Sequence, residues 1–184
     1  MIYLRELKTT DAALMLEWMH DEDIQKAFKH DFSETSLKEA EAFCAGTKIP
    51  DNIESGMSLH FAIADSGDEY LGTISLKEID LENGSAEYAI VTRKKAHGKK
   101  VAYKATGLIL RMAFMKYGLH RVYLNVYSNN TAAIKLYEKC GFVYEGEFRE
   151  HFIMENQYIN WKWYSMLESE FDESKFGIEE IENG

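Results

Sequence analysis

Residues 93–102 read Arg93-Lys94-Lys95-Ala96-His97-Gly98-Lys99-Lys100-Val101-Ala102, and their place in the chain decides how the rest is read. A strand-like run, Ala86-Glu87-Tyr88-Ala89-Ile90-Val91, precedes them, and a helical pattern from Val101 to Tyr117 follows. Arg93, Lys94, Lys95, Lys99, Lys100 and Lys104 are six of the 21 lysines and arginines, with no acid among them. A basic turn with a glycine that opens a helix suits a polyanion. The first-turn N–H groups point outward, the helix dipole favours negative charge, and glycine lets a phosphate approach the backbone. Taken alone, the stretch also reads as a solvated basic loop.

The 184 residues fit one domain with a real core, expected over residues 1–170 with an acidic, partly disordered tail over 171–184. A composition of 46% hydrophobic and 28% charged residues is that of a globular chain. The net charge of −10 argues against a nucleic-acid partner gripped by a broad basic face, and is compatible with a cationic substrate. Cys44 and Cys140 have no metal-ligand or disulfide-framework spacing, which points to a reducing, cytoplasmic setting. No apolar run approaches the roughly 18–20 residues that span a bilayer, so no membrane role is expected.

Strands are expected at Ile2–Leu7, 59–64, 70–79, 86–91, 121–126, 142–153 and 158–167. Helices are expected from a Thr10 or Asp11 cap to His20, in a short piece within 21–28, over Ser36–Gly46, over 101–117, and from Asn130 to Lys139 with Gly141 as C-cap. Hairpin turns fall at Asp65–Asp68, Leu81–Gly84 and Glu155-Asn156. The fold class is therefore α/β, with a mixed, mostly antiparallel sheet of about seven strands covered by helices on both faces.

A second segment settles the reading of the basic turn. Asn130-Thr131-Ala132-Ala133-Ile134-Lys135-Leu136-Tyr137-Glu138-Lys139-Cys140-Gly141-Phe142, about thirty residues after the turn, resembles the GNAT superfamily of acetyl-CoA-dependent N-acetyltransferases. Glu145–Glu150 and Gln157–Asn160 look like the branch of ribosomal-protein N-terminal and spermidine acetyltransferases. The likeness is strong over residues 59–167 and looser over 1–50. One departure stands out: Lys100 occupies the place of the family's second glycine or small residue.

The resemblance implies a sheet splayed between its fourth and fifth strands, with acetyl-CoA in the opening. Ile90, Val91 and Thr92 would bond the pantetheine arm. Lys95, His97, Gly98, Lys99, Lys100 and Val101 would cradle the pyrophosphate, and Asn125 and Asn130 would also contact the co-substrate. Asn130 reads equally as a plain helix cap. No metal is implied, and no metal motif, nucleophile elbow or dinucleotide fingerprint is present.

Transfer to an amine needs a base, an oxyanion partner and a thiolate acid. Glu87 is the candidate base, directly or through water, and it also reads as a solvent-facing strand carboxylate. A backbone N–H near Val91 would meet the oxyanion. Tyr137 matches the family's proton donor to sulfur. Complete transfer from an ordinary tyrosine to a thiolate is uphill by about 2 kcal/mol, so Tyr137 either has a lowered pKa or serves as a hydrogen-bond donor. His97, His120 and Cys140 read as positional or packing residues.

The expected reaction is acetylation of a primary amine: a protein N-terminus, a polyamine or an amino sugar. Glu17, Asp21, Glu22, Asp23, Asp31 and Glu34 favour a cationic acceptor, and Arg149 and His151 are further acceptor contacts implied by the branch. A homodimer is also implied. The alternative is an acetyl-CoA sensor without turnover, favoured by Lys100 alone.

Overall fold

The computed structural model describes residues 1–178. Its seven strands are β1 (Ile2–Arg5), β2 (Leu59–Asp65), β3 (Tyr70–Asp80), β4 (Ser85–Thr92), β5 (Arg121–Tyr127), β6 (Val143–Met154) and β7 (Gln157–Leu167). They form one sheet in the order β1-β2-β3-β4-β5-β7-β6. Every neighbouring pair is antiparallel except β4–β5, which is parallel.

The helices are α1 (Ala12–Met19), α2 (Glu22–Gln25), α3 (Leu37–Gly46), α4 (Val101–Arg111) and α5 (Thr131–Cys140). Alternation along β2 assigns them to two faces. Leu59, Phe61 and Ile63 enter a large core with Ala105, Ile109, Tyr137 and Cys140 of α4 and α5. Ala62 enters a separate core with Met15, Trp18, Ala40 and Cys44 of α1 and α3.

Local chemistry explains the element ends. Ser36 and Glu39 form a reciprocal capping box on α3, and Gly141 closes α5 in the left-handed region at φ 95°. Glu155 and Asn156 both have positive φ, as a two-residue hairpin between twisted strands requires.

Three expectations are corrected. The first strand stops at Arg5. Asp11 stands at the N-cap position of α1 but its side chain does not cap it: the carboxylate takes Arg5 at 2.7 and 2.9 Å and the Lys8 N–H at 2.8 Å, so it is committed to residues that precede the helix. The helix expected to run to Tyr117 is α-helical to Arg111 and then widens into a π turn over Met112–Lys116, closed by Tyr117 N–H to Met112 O at 2.9 Å.

The start of the acidic tail is packed. Phe176 is buried, stacks on Tyr103 at 5.0 Å, and fills the surface left by Gly107 on α4. The fraying expected for the last residues concerns 179–184, outside the described residues.

Candidate active site

The sheet opens where a parallel pair stops. β4 and β5 are in register at Ser85, Ala86 and Glu87 against Arg121, Val122 and Tyr123, and the pairing ends there. Ile90 on β4 and Asn125 on β5 thus border a cleft of about 380 Å³. Glu87, Asn130 and Tyr137 line the same cleft, together with Lys77, Phe152 and Trp161.

Tyr137 reaches it from α5. Its ring meets Tyr88 at 5.9 Å, edge to face, and Phe142 at 6.1 Å. Burial, with a smaller contribution from Cys140, pushes the Tyr137 hydroxyl well above the ordinary tyrosine range. Tyr88 is fixed below it by a 2.7 Å hydrogen bond with Thr106.

Asn130 caps α5, its Oδ1 accepting the Ala133 N–H at 3.2 Å. The side-chain NH₂ group is not consumed by that cap. Glu87 is half-buried, with Oε1 2.8 Å from Lys77 Nζ. Cys140 is buried, and desolvation pushes its thiol up to about 12, as a packing residue requires.

The basic turn divides in function. Arg93 is buried and bonds Glu17, Glu69 and the Tyr70 carbonyl. Lys94 pairs with Asp21 at 2.7 Å, and Lys95 with Glu69 at 2.6 Å. These three residues tie the turn to α1, to α2 and to the loop before β3. His97 lies 3.3 Å from the Thr92 carbonyl, Val101 is buried at the start of α4, and Lys99 and Lys100 are exposed. Gly98 and Lys100 both adopt left-handed backbone, at φ 73° and 59°. Lys100 is the N-cap of α4, so a second glycine at this place would suit its conformation, and lysine holds it at some strain.

Glu87, Ile90, Asn125, Asn130 and Tyr137 therefore meet in one cleft, while residues 95–101 form the turn beyond its β4 wall. Val91 lies on the other side, in a second hollow of about 570 Å³ beneath α1 and α3. Lys77 was missed from the sequence. Its signal is the alternation Thr73, Ser75, Lys77, which puts it on one face of β3 opposite Glu87 in register. Of the branch-implied acceptor contacts, Arg149 is exposed, and His151 stacks on Trp161 at 5.2 Å, beside the cleft.

Residues 2–143 match the family model of the acetyltransferase (GNAT) domain, and the chain belongs to that family. Spermidine N(1)-acetyltransferase of Vibrio cholerae is 33% identical over 123 residues, covering 67% of this chain and 69% of the relative. The Escherichia coli K12 spermidine N(1)-acetyltransferase is 31% identical over 120 residues, 65% of this chain and 64% of the relative. A crystal structure of the Vibrio cholerae spermidine N-acetyltransferase in complex with CoA and spermine superposes with a TM-score of 0.79 at 27% identity. It covers 92% of this chain and 96% of that one. The protein is an acetyl-CoA-dependent N-acetyltransferase. Among the described residues no helix is long and apolar enough to cross a membrane, and no cluster of three metal-ligating side chains occurs.

Proposed function

We propose that this chain acetylates a primary amine in the cleft between β4 and β5, by direct attack on the thioester of acetyl-CoA. The observation that carries the reading is the end of β4–β5 pairing at Glu87, with Tyr137 and Glu87 both lining the opening. The backbone of Ile90, Val91 and Thr92 lies beyond the paired segment and would bond the pantetheine arm. The turn from Lys95 to Val101 would receive the pyrophosphate on the N–H groups of the first turn of α4. Lysine at position 100 keeps its own N–H, and Lys99 and Lys100 add exposed positive charge. Asn125 and the free amide of Asn130 would complete the cofactor contacts.

Acetyl-CoA supplies an activated acetyl group. The amine nitrogen gives up a proton towards Glu87, directly or through water, and bonds to the acetyl carbon. The carbon–sulfur bond breaks with the electron pair on sulfur, which leaves as a thiolate and takes its proton from solvent, while the proton lost by nitrogen passes from Glu87 to solvent. Burial keeps Tyr137 neutral, which favours the role of hydrogen-bond donor to the departing sulfur over complete proton release.

The named relatives act on spermidine, which makes a polyamine one candidate acceptor beside a protein N-terminus and an amino sugar. The sensor alternative rests on Lys100, which takes the left-handed conformation that a glycine would and keeps the backbone N–H that would meet a phosphate. Mass spectrometry of acetylated amine formed from acetyl-CoA tests the proposal. Bound acetyl-CoA with no acetylated product from any amine would overturn it.

A further inference from the structure

We infer that the acetyl acceptor is a primary amine carrying a compact apolar group, aromatic for preference, rather than a linear polycation. This deepens the transfer reading above and rests on it. The second hollow shares Phe28, Lys77, Ala89 and Ile90 with the cleft. The two spaces therefore meet along β4, one on the Tyr137 side and the other beneath α1 and α3. An acceptor whose nitrogen reaches the cleft has its remaining atoms in the second hollow.

That hollow is built of rings. Trp18 stacks on Phe28 at 5.6 Å, and Phe32 meets both edge-on at 5.6 and 5.5 Å. Phe43 lies across the space and packs on His60 at 5.3 Å. Small apolar surface from Ala40, Ala89 and Val91 fills the floor between them. A volume of about 570 Å³ with this lining suits an aryl or branched alkyl group.

Charge argues the same way. A polyamine carries several ammonium groups, and each that leaves water needs a carboxylate or an equivalent partner. Among the described residues Glu39 is the one carboxylate in the lining, and its Oε2 already accepts the Ser36 N–H at 2.8 Å and the Ser36 hydroxyl at 2.6 Å. Lys77 stands at the junction of the two spaces and already occupies one oxygen of Glu87 at 2.8 Å, so that carboxylate is not free to pair with a second ammonium. Three of the six acids that favour a cationic acceptor are paired elsewhere: Glu17 with Arg93, and Asp21 and Asp23 with Lys94. None of Glu17, Asp21, Glu22, Asp23, Asp31 and Glu34 lines the hollow.

The reaction conserves atoms as before: nitrogen bonds to the acetyl carbon, one proton leaves nitrogen, and sulfur departs as the thiolate. The apolar group binds and orients. A small arylalkylamine and a peptide starting with an aromatic residue present the same chemistry, so both serve as probes.

The experiment is kcat/KM for phenethylamine, a Phe-initiated tripeptide, spermidine and methylamine, each with acetyl-CoA and the full chain. Phenethylamine or the peptide should exceed spermidine by about tenfold or more. Whichever of the two leads identifies the source of the aromatic amine. Phe43→Ala should reduce the preference for the aromatic probe over methylamine by about tenfold. Phe43→Glu, which adds a carboxylate at an already half-exposed ring, should shift the preference towards spermidine. Spermidine equal to or better than the aromatic probes in the native chain would overturn this inference and leave the transfer reading standing. No thiol release with any of the four would overturn this inference, and silence with an amino-sugar acceptor as well would overturn the transfer reading.

Discussion

Glu87 and Lys77 face each other across the β3–β4 ladder, with Lys77 Nζ 2.8 Å from Glu87 Oε1. One carboxylate oxygen is therefore occupied, and the other is the one available to an amine or a water in the cleft. The ion pair joins Glu87, which lines the cleft, to Lys77, which lines both the cleft and the ring-lined hollow. It holds the candidate base in one orientation at the point where nitrogen must lose its proton.

Glu87→Gln keeps the size of the side chain and removes its ability to take a proton. We expect kcat to fall about 100-fold, with acetyl-CoA affinity within about twofold of the native value. Steady-state turnover together with calorimetric titration of acetyl-CoA checks this. An unchanged kcat would return Glu87 to a purely structural role.

Tyr137→Phe should lower kcat by at least about tenfold with little change in acetyl-CoA affinity. The pH dependence has a definite sign. Burial raises this hydroxyl above the ordinary value of about 10, so the neutral donor form persists to higher pH than in a free tyrosine. The Tyr137-dependent part of kcat should therefore show no decline between about pH 8 and 10. A falling limb in that window, absent from Tyr137→Phe, would show that the hydroxyl ionises early.

Much of this was legible in the sequence, for identifiable reasons. The strand alternation, the Asn-Gly and Glu155-Asn156 turns and the Gly141 cap are local signals, and the elements that they bound formed in place. Glu87, Ile90, Asn125, Asn130 and Tyr137 fall in one cleft because the flanking elements are each locally specified. What the sequence did not disclose depends on long-range partners. Nothing near Glu17, Asp21 or Lys94 tells a reader that these charges neutralise one another across 70 or more positions. Phe28 and Phe32 lie in the irregular stretch between α2 and α3, so their convergence with Phe43 of α3 over β4 has no periodic signature. The packing of Phe176 on Gly107 was hidden by the acidic composition around it.

Lys100→Gly removes a side chain held at φ 59°. Relief of the left-handed conformation, about 1 kcal/mol, is partly offset by the greater freedom of glycine in the unfolded chain. The melting temperature should be unchanged or slightly higher. Loss of an exposed lysine from the turn should weaken acetyl-CoA by about threefold to tenfold. Thermal unfolding and equilibrium titration separate the two effects.

Gly107→Ala would place a Cβ 2.4 Å from Cγ of Phe176 and 2.6 Å from its Cβ. The ring must leave its site, at a cost of about 1–3 kcal/mol. Phe176→Ala in the same background should make the glycine substitution nearly neutral, because the clash is gone. Urea denaturation of the single and double variants measures this coupling.

Arg93→Ala should destabilise the fold by about 3 kcal/mol, since it strands the Tyr70 carbonyl and two carboxylates, with the partial exposure of Glu17 and Glu69 limiting the loss. Hydrogen bonds from Lys95 and Arg93 hold the Glu69 carboxyl below its ordinary range, and Lys94 does the same for Asp21. Depressed carboxylates stabilise the fold above their unfolded values and cease to do so as pH falls through their folded values. Native stability should therefore decline below about pH 4.5, and the decline should be shallower in Arg93→Ala.

The most direct test of acetyl transfer in the β4–β5 cleft is release of free thiol from acetyl-CoA, followed with and without a primary amine. The account predicts amine-dependent release by the native chain and a rate at least about tenfold lower for Tyr137→Phe at equal acetyl-CoA occupancy. Equal rates for the two proteins, or release indifferent to the amine, would contradict it.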